Sequence, residues 1–238
     1  MAQSEQYADT AGQYADPPAP GITAVGAPAA GGRMRAFRPR RPPHDGVAVF
    51  DDVYLAVSGT FGRRSTYGSD PGALDSLLAE RYLAVADSAA AGLRLPACWR
   101  PLFQYRRHPG VLPAQFALAG LNAHVGHDLA LAVVDACHAR GCAPSGLEEE
   151  FDQVGDLLLM LEERVLEDLE AGPEPPAVTD PLTHLMESWS LERAREAAWS
   201  AARVLWELRE FPVLAAEFRE RMDAGAGLVG RCLLTPCR

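Results

Sequence analysis

Lysine is absent from this chain of 238 residues, so its 22 lysine-plus-arginine positions are all arginine. The 32 acidic residues give a formal net charge of −10 at pH 7. A protein that binds a phosphate backbone needs clustered positive charge. Three local arginine groups are interpreted as solvated surface; they are Arg33 to Arg41, Arg63-Arg64 and Arg106-Arg107-His108. Nucleic acid is therefore not expected as a partner.

Long apolar runs and paired-cysteine motifs are also missing. No uninterrupted apolar stretch reaches the roughly 18 residues of a membrane-spanning helix, and Met1 to Thr10 lacks the apolar segment of a signal peptide. The cysteines are odd in number and lack the Cys-x2-Cys spacing of common zinc sites; they are Cys98, Cys137, Cys142, Cys232 and Cys237. Cys98 and Cys137 are interpreted as unreactive thiols packed in the apolar core. These absences predict a cytoplasmic protein with reduced thiols and no membrane partner.

Strand patterns and common catalytic motifs are absent as well. No segment shows the two-residue alternation of a half-buried strand, and no repeat of fixed length is visible. The chain lacks Gly-x-Ser-x-Gly, the phosphate-binding P-loop, the dinucleotide fingerprint and His-Glu-x-x-His. The first absence favours an all-α fold. Because the common catalytic motifs are absent, a catalytic role can be inferred only from individual side chains.

What the chain has is helical periodicity. Residues 1–43 are rich in Pro, Gly, Ala and Arg without any period, which predicts a disordered tail. Residues 44–238 predict one all-α domain, a bundle of about seven helices around a long buried central helix. Ser145 and Glu148 match the capping-box pattern. The predicted helices cover residues 45–58, 70–92, 99–107, 113–140, 145–171, 180–211 with a break near Ser190, and 213–223.

The predicted central helix is apolar nearly all round, yet it carries Asn122, His124, His127 and Asp128. Buried ionisable groups are costly unless they are paired or bound to something. His124 and Asp128 are four residues apart and therefore lie on one helix face. Three interpretations remain open. The group is a structural hydrogen-bond network, or a catalytic pair in which Asp128 orients His124 as general base beside a positioning Asn122, or a pair of metal ligands.

A metal site needs further ligands from elsewhere in the chain. The metal-ligand candidates are His124, Asp128, Asp152 and His184. Less favoured carboxylates are Asp51, Asp52, Asp156 and Glu187. None of these completes a known zinc signature. The cofactor is therefore undetermined, with a divalent metal as the one candidate.

Two aromatic clusters contain arginine, and they supply the candidate substrate-binding residues Trp99, Arg100, Arg193 and Trp199. Trp99 and Arg100 belong to the short predicted helix, where Arg100 could instead pair with a carboxylate such as Asp128. Around Trp199 one interpretation is core packing, with the stem of Arg195 covering a ring. The other is an aromatic wall for an apolar ligand, with an arginine meeting an anion.

Four segments are specific in combination; they are Asp45-Gly-Val-Ala-Val-Phe-Asp-Asp-Val-Tyr54, Trp99-Arg-Pro-Leu-Phe103, Gln115-Phe-Ala-Leu-Ala-Gly-Leu-Asn-Ala-His124 with Asp128-Leu129, and Trp189-Ser-Leu-Glu-Arg-Ala-Arg-Glu-Ala-Ala-Trp199. Together they resemble a family of all-helical actinobacterial proteins known only as a domain of unknown function. The resemblance covers about residues 45–234. Its pattern continues Asn-Ala-His with Ile-Asn, a basic residue and Asp-Leu-Pro. The positions that depart from it are Val125, Gly126, His127 and Ala130, and those that match are Asn122, His124 and Asp128.

The family resemblance implies a fold and no activity. Because His127 occupies the basic position of the pattern, it is the weakest ligand candidate of the central helix. A looser similarity is to all-helical zinc phospholipases and nucleases, whose helices carry His-x3-Asp ligands. Their N-terminal Trp ligand and second His-x3-Asp have no match in this sequence.

Two functional hypotheses follow from these residues. The first is an enzyme that acts on a small, largely apolar metabolite inside the bundle, with the His/Asp pair as general base or metal site. The alternative is a non-catalytic helical module that binds a ligand or a protein and whose buried His/Asp/Asn cluster is structural. The sequence does not indicate an oligomeric state.

Overall fold

Helices form the regular structure of the part of the chain that the computed structural model describes, residues 45–61, 73–170 and 189–236. Seven α-helices lie in these ranges: α1 (Gly46–Phe61), α2 (Leu74–Ala90), α3 (Arg100–Tyr105), α4 (Pro113–Arg140), α5 (Glu148–Glu170), α6 (Leu191–Glu207) and α7 (Pro212–Leu233). The predicted all-α bundle around a long buried central helix is confirmed. The predicted tail at residues 1–43 lies outside the described residues.

The central helix is α4, and its sequence explains both of its ends. Pro113 occupies the first turn, where its missing N–H is not needed. Gly141 ends the helix in a left-handed conformation with φ 63°. The side-chain oxygen of Gln115 accepts the Leu112 N–H at 2.8 Å, and its amide donates to the Leu233 carbonyl at 2.7 Å. The second bond joins the start of α4 to the end of α7.

By length and composition alone, α4 is also apolar enough to cross a bilayer. Polar side chains interrupt its apolar run in the middle, between Asn122 and Asp128. Within the fold, 89% of its most apolar window is buried. Because the core helix of a compact protein passes the same test, this helix is weak evidence for membrane insertion.

Two glycines let α1 and α4 approach closely. A Cβ atom on Gly120 would lie 2.3 Å from the Phe50 ring, and a Cβ atom on Gly46 would lie 2.3 Å from the Phe116 ring. Each helix therefore presents a glycine to an aromatic ring of the other, and the ring fills the space that a side chain would occupy. This packing places Phe50 and Tyr54 over the middle of α4, where the polar side chains lie.

The predicted end of the last helix, at Asp223, was wrong. The segment that follows is rich in glycine, which is a poor helix former, but α7 continues through it to Leu233. A Cβ atom on Gly227 would lie 2.4 Å from the carbonyl oxygen of Ala97. The close backbone contact between α7 and the loop before α3 therefore outweighs the low helix propensity of glycine.

Other boundaries differ by smaller amounts, as expected for frayed helix ends. Helix α1 extends to Phe61 rather than Ser58. Ser145 lies inside a short 3₁₀ turn, Pro144–Leu147, and does not cap α5 as the capping-box pattern predicted. Ser190 does cap α6, since its hydroxyl accepts the Arg193 N–H at 3.4 Å. The predicted helix starts at Asp70 and Asp180 lie outside the described residues.

Candidate functional site

The middle of α4 is a π-helical turn, His124–Asp128, in which the helix accommodates one extra residue. The Leu129 N–H donates to the His124 carbonyl and closes this wider turn. Such turns are rare inside α-helices and are frequent at functional sites. The sequence predicts a regular helix here, and Gly126 inside the turn is the only local sign of irregularity.

His124 lies at the centre of the fold with 0% of its surface exposed. Four aromatic rings meet it edge to face, with centroid distances of 6.2 Å for Phe50, 5.2 Å for Tyr54, 6.4 Å for Tyr82 and 6.0 Å for Trp99. Neither ring nitrogen has a hydrogen-bond partner among the described residues. An imidazole offers two polar nitrogens in either protonation state. His124 is therefore a buried polar group in an apolar enclosure, and its hydrogen-bonding capacity is unused.

Asp128 connects this histidine to its neighbours. The indole Nε1 of Trp99 donates to Asp128 Oδ2 at 2.9 Å, and His127 Nδ1 lies 2.9 Å from Oδ1. His124 Nδ1 is 3.6 Å from Oδ2, which is too long for a hydrogen bond but close enough for ion pairing. Burial alone would raise the pKa of Asp128, but its contacts with His127 and His124 outweigh burial and hold that pKa below its ordinary value. Asp128 is thus an ionised carboxylate in the core.

This depressed pKa predicts a loss of stability in acid. The carboxyl of Asp128 binds its proton more weakly in the folded protein than in the unfolded chain. Its stabilisation is therefore present above the unfolded-chain pKa of about 4 and disappears as the pH falls towards the folded-state value. Urea unfolding from about pH 3 to 7, with EDTA present, should show a flatter pH dependence for Asp128→Asn than for the wild type. Equal slopes would show that the charge of Asp128 does not contribute.

Asn122 faces the last helix. Its side-chain Nδ2 donates to the Ala226 carbonyl at 2.9 Å, and Gly230 lies beside it, where an added Cβ atom would be 3.7 Å from Nδ2. The amide therefore holds α7 against α4, two residues before His124. Its oxygen, Oδ1, lies near Gly126 in the π-helical turn.

A second polar cluster lies on the other side of Asp128. Cys98, His127 and Asp223 bring potential ligand atoms within 4.8 Å of one another. Cys98 and His127 are buried, whereas Asp223 is partly exposed. The Asp223 carboxylate also accepts the backbone N–H groups of Ala97 at 2.7 Å and of Cys98 at 2.8 Å. The cluster therefore joins the loop before α3 to α4 and α7.

The interpretation of Cys98 as an unreactive core thiol and of His127 as the weakest ligand overlooks this cluster. Cys98 and Asp223 lie 125 residues apart, so no local spacing connects them. Because the last helix was predicted to end at Asp223, the close contact between Gly227 of α7 and the backbone of Ala97 was not predicted either. The one local signal is that Cys98 directly precedes the Trp99 segment of the family resemblance.

The electrostatics around Cys98 disfavour a cysteine nucleophile. Burial raises the pKa of its thiol well above the ordinary value, and the charges of Asp128 and Asp223 raise it further. A thiol that keeps its proton is a poor nucleophile. The same negative surroundings attract a cation. The arrangement therefore fits a ligand of a metal better than the reactive group of a hydrolase.

Of the metal-ligand candidates named from the sequence, His124 and Asp128 lie together, with Nδ1 3.6 Å from Oδ2. Asp152 is exposed on α5, where it pairs with Arg195 at 3.4 Å, whereas His124 is fully buried. Asp152 therefore lies at the surface beside an arginine, whereas His124 lies in the core. Asp51 is buried and accepts a hydrogen bond from the Tyr82 hydroxyl. Two further candidates, His184 and Glu187, lie outside the described residues.

Trp99 and Arg100 lie next to each other in the chain but take different positions. Trp99 is fully buried, contacts His124 and donates to Asp128. Arg100 is partly exposed and donates to the Leu95 carbonyl at 3.0 Å. Asp128, which the sequence suggested as a partner for Arg100, therefore accepts a hydrogen bond from the Trp99 indole instead.

The other two candidate substrate-binding residues lie on α6. Arg193 is exposed, and Trp199 packs on Phe151 of α5 with a centroid distance of 4.7 Å. The Arg195 guanidinium lies 5.4 Å from the same Phe151 ring. This is the geometry of the packing interpretation, with the arginine over Phe151 rather than over a tryptophan.

The comparisons with known proteins bear on the family. A family model described as "Family of unknown function (DUF5995)" matches residues 29–236, which is most of the chain. The chain belongs to the DUF5995 family. Membership agrees with the four-segment resemblance and supplies no activity. No curated protein matches this DUF5995 chain, and no solved structure does. Its function must therefore be argued from the geometry around Asp128.

Proposed function

We propose that this DUF5995 protein is an enzyme that acts on a small, largely apolar molecule, with His124 as the proton-accepting group. The observation that carries the proposal is that both ring nitrogens of the fully buried His124 lack a hydrogen-bond partner among the described residues. An unmade hydrogen bond of a buried group costs about 1–3 kcal/mol. A fold that keeps such a group at its centre has a use for it, and a bound ligand would supply the partner.

Asp128 would support the proton transfer. Proton transfer to His124 creates an imidazolium, and the ionised Asp128 carboxylate 3.6 Å away would pair with it. The carboxylate is held in place by Trp99 and by His127, each at 2.9 Å. A base whose conjugate acid meets a fixed anion does not have to reorganise its surroundings during the reaction.

The enclosure indicates the kind of substrate. Apolar ring surface surrounds the two ring nitrogens of His124, and it comes from Phe50, Tyr54, Tyr82 and Trp99. A ligand with an apolar body and one acidic proton or hydrogen-bonding group fits that chemistry. Two of the four rings belong to α1, so a displacement of α1 is the movement that would admit such a ligand.

A second candidate is the non-catalytic helical module. The polar groups other than His124 are satisfied by protein partners, as a structural network requires: Asp128 bonds Trp99 and His127, and Asn122 bonds the Ala226 carbonyl. Large apolar side chains at the start of α7 are exposed, and they are Phe211, Val213 and Leu214. An exposed apolar patch is typical of a protein-binding surface.

Substitution of His124 by leucine tests the two candidates against each other. Leucine has a similar volume and no polar atoms, so His124→Leu should raise the free energy of unfolding by about 1 kcal/mol when the histidine has unmet hydrogen bonds. A variant several kcal/mol less stable would show instead that His124 itself stabilises the fold, which favours the helical module. Urea denaturation of both proteins measures the difference.

A thermal-shift screen completes the test. The compounds are small apolar carbonyl compounds and aromatic acids. Those that raise the melting temperature of the wild type should not change the melting temperature of His124→Leu. His138→Leu is the matched control, because His138 lies on the same helix, is exposed and contacts the Trp206 ring at a centroid distance of 5.1 Å. The control should respond to every compound as the wild type does. Compounds that stabilise His124→Leu equally well would exclude His124 as the binding group.

A further inference from the structure

We propose that Cys98, His127 and Asp223 form a binding site for a divalent transition metal, with zinc the best match. The three side chains come from the loop before α3, from the π-helical turn of α4 and from α7. Their ligand atoms already lie within 4.8 Å of one another. In a tetrahedral zinc site, bonds of about 2.0–2.3 Å place the ligand atoms about 3.5 Å apart. Side-chain movements of about 1 Å therefore complete the site.

The donor set selects the class of metal. A thiolate sulfur, an imidazole nitrogen and a carboxylate oxygen together suit zinc and its neighbours in the first transition row. Magnesium and calcium prefer oxygen ligands alone and are disfavoured by Cys98 and His127. Three protein ligands leave a fourth position for water or a substrate, which is the arrangement of catalytic rather than structural zinc sites.

The charges balance as well. A Cys98 thiolate and an Asp223 carboxylate carry two negative charges, which match a divalent cation. Binding displaces the thiol proton of Cys98 to solvent and forms the metal–sulfur bond, so the site changes by one released proton per metal.

A supporting carboxylate for the histidine is already in place. His127 Nδ1 lies 2.9 Å from Asp128 Oδ1, so Nε2 is the nitrogen that a metal would take. Metal-ligating histidines almost always bond a carboxylate, a carbonyl or water through the other ring nitrogen. The backbone bonds from Ala97 and Cys98 hold the Asp223 carboxylate in the same way. Asp128 also lies 3.6 Å from His124, which links the metal site to the proposed base.

Cobalt titration of the full chain, purified without a histidine tag and stripped with EDTA, tests the site. One equivalent of Co²⁺ should produce the visible bands of a four-coordinate ion and a near-ultraviolet sulfur-to-cobalt charge-transfer band. Zn²⁺ should then displace the cobalt and remove both. Cys98→Ser should lose the charge-transfer band, because serine keeps a hydroxyl for Asp223 but no sulfur. Failure to bind one equivalent of cobalt would overturn the proposal.

Matched variants make the result specific. Cys137→Ser removes another buried thiol, in the second half of α4, and should keep the complete cobalt spectrum. Asp128→Asn should weaken cobalt binding by about 10–100-fold, the usual effect of losing a carboxylate behind a metal-bound histidine. Each variant is first checked for the wild-type circular dichroism spectrum. A charge-transfer band that survives in Cys98→Ser, or disappears in Cys137→Ser, would contradict the assignment.

The metal site can be tested separately from the proposed role of His124, although Asp128 contacts both. His124→Leu should bind cobalt with the wild-type spectrum, since His124 is not a ligand. Metal binding in that variant, together with an absent response to the compound screen, would separate the two conclusions. Loss of the cobalt spectrum in His124→Leu would show instead that His124 is itself a ligand, which overturns the proposed ligand set.

Discussion

Replacement of Asp128 by alanine is expected to lower the free energy of unfolding by about 3–5 kcal/mol. The carboxylate is 3% exposed and bonds two buried groups, the Trp99 indole and the His127 ring. Without it, the N–H of Trp99 and a ring nitrogen of His127 have no hydrogen-bond partner. The full desolvation cost of each group then destabilises the folded state. Urea denaturation of the EDTA-treated protein at pH 7 measures the change.

Asp128→Asn separates charge from shape. Its amide oxygen can still accept one of the two bonds, so about half of the loss is expected. Asp135→Ala is the matched control on the same helix, because Asp135 pairs with Arg81 at the surface, with side-chain exposures of 43% and 28%. An ion pair this accessible to solvent contributes about 1 kcal/mol or less. Equal losses for Asp128→Ala and Asp135→Ala would mean that the Asp128 bonds do not stabilise the core.

Gly120→Ala should destabilise the protein by about 2–3 kcal/mol, although alanine is the better helix former. The added Cβ atom would lie 2.3 Å from the Phe50 ring, a distance that real atoms do not adopt. Phe50 is 2% exposed and meets Tyr82, Trp99 and His124, so it cannot retreat without moving that cluster. A thermal or urea melt measures the loss of stability.

Gly126→Ala is the matched control for that substitution. Gly126 lies on the same helix, and its added Cβ atom would meet nothing closer than Ala226 at 3.5 Å. The gain in helix propensity should therefore raise stability by up to about 1 kcal/mol. Phe50→Leu combined with Gly120→Ala should lose less than the sum of the two single changes, since each relieves the other. Additive losses would place the clash elsewhere than at Phe50.

The sequence predicts well those features that local chemistry determines. The two ends of α4 follow from Pro113 and Gly141, and its burial follows from an apolar surface on all sides. The prediction failed where tertiary contact overrides local preference. Helix α7 passes through glycines because its backbone meets Ala97, and no feature within α7 announces that contact.

The candidate site also combines features that the local sequence determines with features that depend on tertiary contacts. The buried pair of His124 and Asp128 is visible in the sequence, because ionisable residues stand out in an apolar helix. The enclosure by Phe50, Tyr54, Tyr82 and Trp99 draws on α1, α2 and the loop before α3, so it depends on how the helices assemble. The cluster at Cys98 needs both the π-helical turn, which carries His127, and the unexpected continuation of α7.

The π-helical turn has a consequence for the whole length of α4. Each residue of an α-helix advances the side-chain direction by roughly 100°, so one additional residue rotates everything after it by that amount. Leu129–Arg140 is therefore out of phase with Pro113–Ala123, although both share one axis. The first half directs its contacts to α1 and α7 and the second half to α2 and α6. Deletion of a single residue from the turn would realign the two halves and exchange the neighbours of every side chain beyond it.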